Sequence, residues 1–199
     1  MNHLAHLLLA GPDSALRAGG FLGDFVRGRL QGERPTRLEL GIALHRHIDA
    51  TTDRHPAVRQ LVARFEPPWR RWAPVALDVW FDHLLARRFT EFADEPLPVF
   101  TAAACDDLEH HLAWFPAPAA TFLLRMREAG LLEGYRRRDT IDAVLARLAR
   151  RSPRAAPLAN IHGELDRLEP ELEAGFDALM PGLIDHCANW RRNRLPRVD

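Results

Sequence analysis

The chain contains no lysine: all 27 of its basic residues are arginine, and 27 aspartates and glutamates balance them to a formal net charge of zero. Bulk charge therefore gives no reason to expect a nucleic-acid partner, and any pull on an anionic protein must come from local clusters. Compositional bias accounts for the arginine usage, although guanidinium also pairs bidentately with carboxylate and phosphate. Cysteine is almost as scarce. Cys105 and Cys187 stand far apart in no metal-like spacing, so there is no disulfide framework to infer, and a reducing cytoplasm fits. No run of about 18 uncharged apolar residues occurs, which excludes a membrane-spanning helix. The apolar opening Met1–Ala10 lacks a basic leader and a small-residue cleavage signal, so it reads as a first helix. Neither a P-loop, a dinucleotide fingerprint nor a nucleophilic-serine elbow is present, which leaves activated water as the best available nucleophile.

What is present is apolar character at helical spacing. With 199 residues and 47% hydrophobic content, the chain can bury one substantial core, and a single domain over 1–199 is expected. Apolar positions recur three and four residues apart, with no sustained alternation, so the fold should be an all-α multi-helix bundle. Glycine and proline punctuation predicts helices near 2–10, 14–30, 37–52, 56–65, 69–92, 99–114, 118–133, 140–151 and 157–192. Pro170 should fall in a first turn, Pro181 should kink or divide its helix, and 193–199 should fray. Asp139 reads as an N-cap.

Metal-binding residue types crowd into the stretch from Asp24 to His83, on segments whose other positions look like core. His45 and Asp49 lie one helical turn apart on one face, where imidazole and carboxylate can converge on an ion; a simple hydrogen-bonded pair is the plainer reading. Asp78 and Asp82 repeat the spacing among apolar neighbours. Two carboxylates there repel, and a cation is their natural partner. Asp24, set between bulky apolar residues, also demands compensation. His6 is either a further corner of that site or a satisfied core histidine. Histidine and carboxylate without cysteine favour manganese or magnesium, or a mixed nitrogen and oxygen site for zinc or iron.

Several motifs in register carry a more specific signal. They are Asn2-x-Leu4-Ala5-His6-Leu7, Gly23-Asp24-Phe25-Val26-Arg27-Gly28, Gly41-Ile42-x-x-His45-Arg46-x-Ile48-Asp49-x-x-Thr52-Asp53 and Leu77-Asp78-Val79-x-x-Asp82-His83-x-Leu85. Together they resemble the acyl carrier protein phosphodiesterase family, a divergent relative of HD-type metal phosphohydrolases, and the likeness runs on through most of the chain. The resemblance implies removal of 4′-phosphopantetheine from holo acyl carrier protein, with manganese as the favoured ion. It implies Asp24, His45, Asp49 and Asp78 as metal ligands, with Asp82, His83 and His6 completing the shell or moving protons, and His83 as the candidate general acid. The adjacent His-Asp dipeptide of HD proteins is missing; its substitutes are His45 with Asp49 and the reversed Asp82-His83. Carrier proteins present an acidic helix, so a basic rim is expected, with Arg27, Arg29, Arg46, Arg70 and Arg71 nearest the motifs.

Two rival readings share these features. An HD-type nucleotidase or nucleotide phosphodiesterase would keep the ion and need stacking aromatics, for which Trp69, Trp72, Trp80 and Phe81 are available or else are core. A non-enzymatic helical adaptor for an acidic partner would need no metal.

Overall fold

The computed structural model describes residues 1–195, and no strand occurs among them. Eleven α-helices carry the fold: α1 (His3–Leu9), α2 (Ser14–Leu22), α3 (Thr36–Arg54), α4 (Pro56–Arg64), α5 (Ala73–Arg87), α6 (Leu97–His110), α7 (Ala117–Glu128), α8 (Leu131–Gly134), α9 (Arg138–Ala149), α10 (His162–Arg167) and α11 (Glu169–Arg194). The all-α expectation is met. Much of the proline is spent on helix starts: α4, α5, α6, α7 and α11 each carry one in the first turn, Pro170 among them, where a missing N–H costs nothing. At α2 the cap is Asp13, whose carboxylate accepts from the Leu16 amide at 3.0 Å.

Several boundaries differ from the periodicity. The helix expected over 14–30 stops at Leu22, and the chain beyond it turns through Gly28, whose φ of 81° is left-handed. The stretch 69–92 divides into short 3-10 turns on either side of α5. Gly130, at φ 55°, separates α7 from α8, and 157–192 divides at Leu168. Asp139 is not a cap: it lies inside the first turn of α9, bonded to the Thr140 amide at 2.7 Å. Helix α11 runs unbroken through Pro181. The lost backbone bond and ring clash cost about 3 kcal/mol, but Phe176, Leu179, Met180, Leu183 and Cys187 are buried around it, at ~1.5–3 kcal/mol per large side chain. Packing wins. Of the tail expected to fray, Asn193 and Arg194 complete α11, and 196–199 lie outside the described residues.

Helix α5 is apolar nearly all round, and its Leu77, Trp80, Phe81, Leu84 and Leu85 are buried, the mark of a central helix. Around it, α1 packs on α2, α5 and α11, while α9 covers another side of α5. The closest pairing is that of α2 with α3. It depends on two glycines: a methyl on Gly19 would fall 2.7 Å from the Gly41 Cα, so the backbones meet with no side chain between them. That contact sets α3 against α1 and α2 and thereby positions the site.

Candidate metal centre

Two helices bring the cluster together. His45 Nε2 lies 3.2 Å from Asp49 Oδ2 within α3, and His6 Nε2 approaches from α1 to 3.1 Å from Asp49 Oδ1. The two imidazoles stack with centroids 3.8 Å apart, and one ligand atom from each of His6, His45 and Asp49 lies within 4.8 Å of the others. The close seating of α2 on α3 fixes the ring of His45. Its Nδ1–H donates to the Gly20 carbonyl at 2.8 Å, which leaves the Nε2 lone pair of the neutral ring facing the carboxylate. Gly23 makes room for it: a methyl there would overlap the imidazole.

A neutral imidazole pointing its lone pair at a carboxylate repels it, so this arrangement requires a positive charge between them, a proton or a metal ion. Burial depresses the pKa of His45, but the hydrogen bond and charge of Asp49, with Asp24 adding to them, raise it on balance. For His6, burial and the neighbouring His45 prevail and push the pKa down to about 4, so this ring is neutral near pH 7. Burial also pushes Asp49 up, yet the bonds from His45 and His6 outweigh it and hold the carboxyl well below the usual carboxylate range. His6 Nε2 also lies 3.1 Å from the Met1 carbonyl, so in the neutral ring it carries the hydrogen; with that hydrogen moved to Nδ1, two imidazole nitrogens and a charged carboxylate form the donor set of a divalent-ion site. Manganese, magnesium, iron and zinc are all compatible with it.

Asp24 and Asp78 stand at the margin of this trio. Asp24 Oδ1 is 3.9 Å from His45 Nε2, and Oδ2 is 3.3 Å from His3 Nδ1, in a carboxylate 47% exposed. It is not enclosed as the sequence suggests, because α2 ends before it. Asp78 Oδ1 meets the Met1 ammonium at 2.6 Å, and the same ammonium is 3.7 Å from Asp49 Oδ1. Burial alone would lower its pKa, but Asp78 and Asp49 raise it to about 10. A positive group thus bridges carboxylates of α3 and α5. His3 is the site residue that sequence reasoning missed; its signal is the three-residue spacing to His6 on one face of α1.

Asp82 and His83 stand apart from the trio, each with hydrogen-bond partners of its own. Asp82 is fully buried, and its two oxygens accept from the Leu4 and Ala5 amides at 2.7 and 3.1 Å. It caps α1 from another helix, its lone pairs committed to amides that would otherwise be unpaired. Burial raises its pKa to about 7 against those two bonds. His83 Nδ1–H donates to the Tyr135 carbonyl at 2.6 Å, its ring stands 5.0 Å from that of Trp80, and burial depresses its pKa. It touches none of the cluster residues.

A cleft of about 250 Å³ opens from Asp24, Asp78 and His3 toward α7, α8 and α9. Phe25, Phe122 and Val144 help to form its walls, and Arg147 and Arg151 line it. Of the arginines nearest the motifs, Arg27 and Arg29 are exposed beside a neighbouring depression that shares Phe25. Arg46 donates to the Val26 carbonyl at 3.0 Å, and Arg70 to that of Phe65 at 2.8 Å. Neither Arg70 nor Arg71 lines the cleft. The tryptophans do not line it either: Trp80 and Phe81 are core, Trp69 donates to the Pro157 carbonyl at 3.1 Å, and Trp72 packs against the core. None of the described helices is long and apolar enough to cross a membrane.

Comparison with known proteins agrees with the motif resemblance. The acyl carrier protein phosphodiesterase of Serratia proteamaculans (strain 568) is 37% identical over 190 residues, which cover 94% of this chain and 97% of that protein. The protein of the same name from Enterobacter sp. (strain 638) is 36% identical over 190 residues, 95% and 98% of the two chains. A third, from Yersinia pestis, is 35% identical over 185 residues, 92% and 96%. No solved structure matches the chain. Since the profile of the same family matches residues 1–183, the chain belongs to the acyl carrier protein phosphodiesterase family.

Proposed function

We propose that this protein releases 4′-phosphopantetheine from holo acyl carrier protein by metal-assisted phosphodiester hydrolysis, giving the apo carrier. The observation that carries the proposal is the convergence of His6, His45 and Asp49, in a chain whose relatives are named for this activity. His6, His45 and Asp49 would hold the ion, with Asp24 and Asp78 beside it and manganese the proposed metal. When bound, a divalent ion activates water and offsets charge on the phosphoryl oxygens.

The chain's own groups do the rest. The Gly20 carbonyl holds His45 in the tautomer that offers Nε2. Asp82 holds α1, and hence His6, against α5. On the cleft side, His3 Nδ1 stands 3.3 Å from Asp24 Oδ2 with no hydrogen bond of its own, and is the group we assign to pass a proton to the leaving serine oxygen of the carrier. His83 belongs neither to the trio nor to the cleft wall, so that task is not assigned to it. The tryptophans and Phe81 considered for a nucleotide lie outside the cleft, whose aromatic lining includes Phe25 and Phe122, and an adaptor would leave the cluster a structural role only. Mixing the purified protein with manganese and holo carrier protein should produce apo carrier, seen by mass spectrometry as loss of one phosphopantetheine group. Asp49→Asn should abolish the loss together with bound metal. An unmodified carrier mass with the wild-type protein, or full turnover by the Asn variant, would overturn the assignment.

A further inference from the structure

Every metal, proton-transfer and rim residue expected from the sequence lies in the first 83 positions, yet the cleft beside the cluster has a second wall from the other half of the chain. Phe122 comes from α7, Leu131 from α8, and Val144 and Leu148 from α9. Val144 and Leu148 are one turn apart, so α9 presents a continuous apolar stripe to the cleft. Arg147 and Arg151 repeat the spacing beside it and line the same space. Neither makes an ion pair among the described residues, and both are exposed. The guanidinium of Arg147 sits 6.0 Å from the centroid of the Phe122 ring.

This lining has a definite chemistry: an open cleft with an apolar stripe along α9, carboxylates and His3 at one side, and two arginines with no ion pair among the described residues. Its volume of about 250 Å³ lies just below the ~300–1,000 Å³ of pockets that enclose a drug-sized ligand, so it takes one part of a larger substrate. On the function proposed above, on which this inference rests, one part of the substrate matches this lining. The pantetheine arm is an uncharged chain with a geminal dimethyl group and two amides, and its only charge is the phosphate at one end. We infer that the cleft is the binding site of the phosphopantetheine arm, with Phe122, Val144 and Leu148 packing along the chain and Arg147 and Arg151 meeting the phosphate. Planar guanidiniums pair with phosphate oxygens bidentately.

Isothermal titration calorimetry with free 4′-phosphopantetheine and with pantetheine, which lacks the phosphate, tests this without the carrier protein. The wild-type protein should bind phosphopantetheine saturably. Val144→Trp, which fills the cleft from a half-buried position, should weaken it at least tenfold. The double variant Arg147→Gln/Arg151→Gln should weaken phosphopantetheine at least tenfold and leave pantetheine binding as it is in the wild type. Circular dichroism checks folding, and should Val144→Trp not fold, Leu148→Gln replaces it with the same expectation. Wild-type affinity in either folded variant, or no binding to the wild type, overturns the inference. Conversion of holo to apo carrier by the wild-type protein keeps the two claims apart. If that conversion occurs while the variants bind normally, the arm site is wrong and the activity stands; if it does not occur, the activity itself has failed.

Discussion

At Gly23, a hydrogen in place of a methyl decides whether the His45 imidazole can stand where it meets Asp49. Gly23→Ala must turn that ring away, and an off-rotamer side chain costs only ~0.5–1.5 kcal/mol, so the fold should survive. Metal affinity should not: loss of an orienting neighbour typically lowers it about 10–100-fold. Elemental analysis beside a thermal melt checks this, and full metal content in a folded variant would count against the site. The pair His45 and Asp49 was legible because both belong to one helix, where spacing alone fixes their relation. Asp82 was not. Its spacing from Asp78 is the same, but the amides it caps lie about 78 residues away in sequence, and periodicity carries no information about what another helix presents. The partner of His83, the backbone of Tyr135, likewise lies far along the chain.

Short elements here borrow their stability from neighbours. Helix α1 has seven residues, well under the ~12–15 at which isolated helices become marginal, and Asp82 supplies two of its missing amide partners. Helix α10 is shorter still and is tied down by Glu164, which accepts from Arg167 at 2.7 and 2.9 Å and from the Glu66 amide at 2.9 Å. The Arg167 hydrogen bonds outweigh burial and hold the Glu164 carboxyl below its ordinary value of 4.5. Such a group stabilises fully above the unfolded-state value and loses its contribution as pH falls through the lowered folded value. Glu164→Gln should therefore cost about 1.5–3 kcal/mol near pH 7, with the gap from wild type closing in acid. Urea titrations at pH 7 and pH 3.5 measure it, and an equal gap at both would refute the account. Element positions were readable where proline marks a helix start, as at Pro56 and Pro118, whereas Gly130 divides a stretch expected to be one helix. The end of α2 was not, because the apolar run Phe25-Val26 continues the periodicity into a turn.

Across the whole molecule, the bundle was predictable in class but not in how its two halves meet. The helical period shows which faces are apolar, whereas the Gly19–Gly41 contact and the cleft between α5 and α9 arise only from packing. A bound ion should be felt throughout, since a ligand at 100 times its dissociation constant adds about 2.7 kcal/mol. In a chain of this size, that raises the melting temperature by ~5–10 °C. Chelation followed by manganese should lower and then restore the melt, a cycle Asp49→Asn should not show; an identical cycle in that variant would place the ion elsewhere.

The cluster rests on α1 and α3, whereas much of the cleft wall belongs to α7, α8 and α9. On the function and the arm site proposed above, bond scission and recognition of the severed group fall to separate stretches of polypeptide. Substitutions in α7 to α9 would then alter which prosthetic arm is accepted and leave the cutting residues in place.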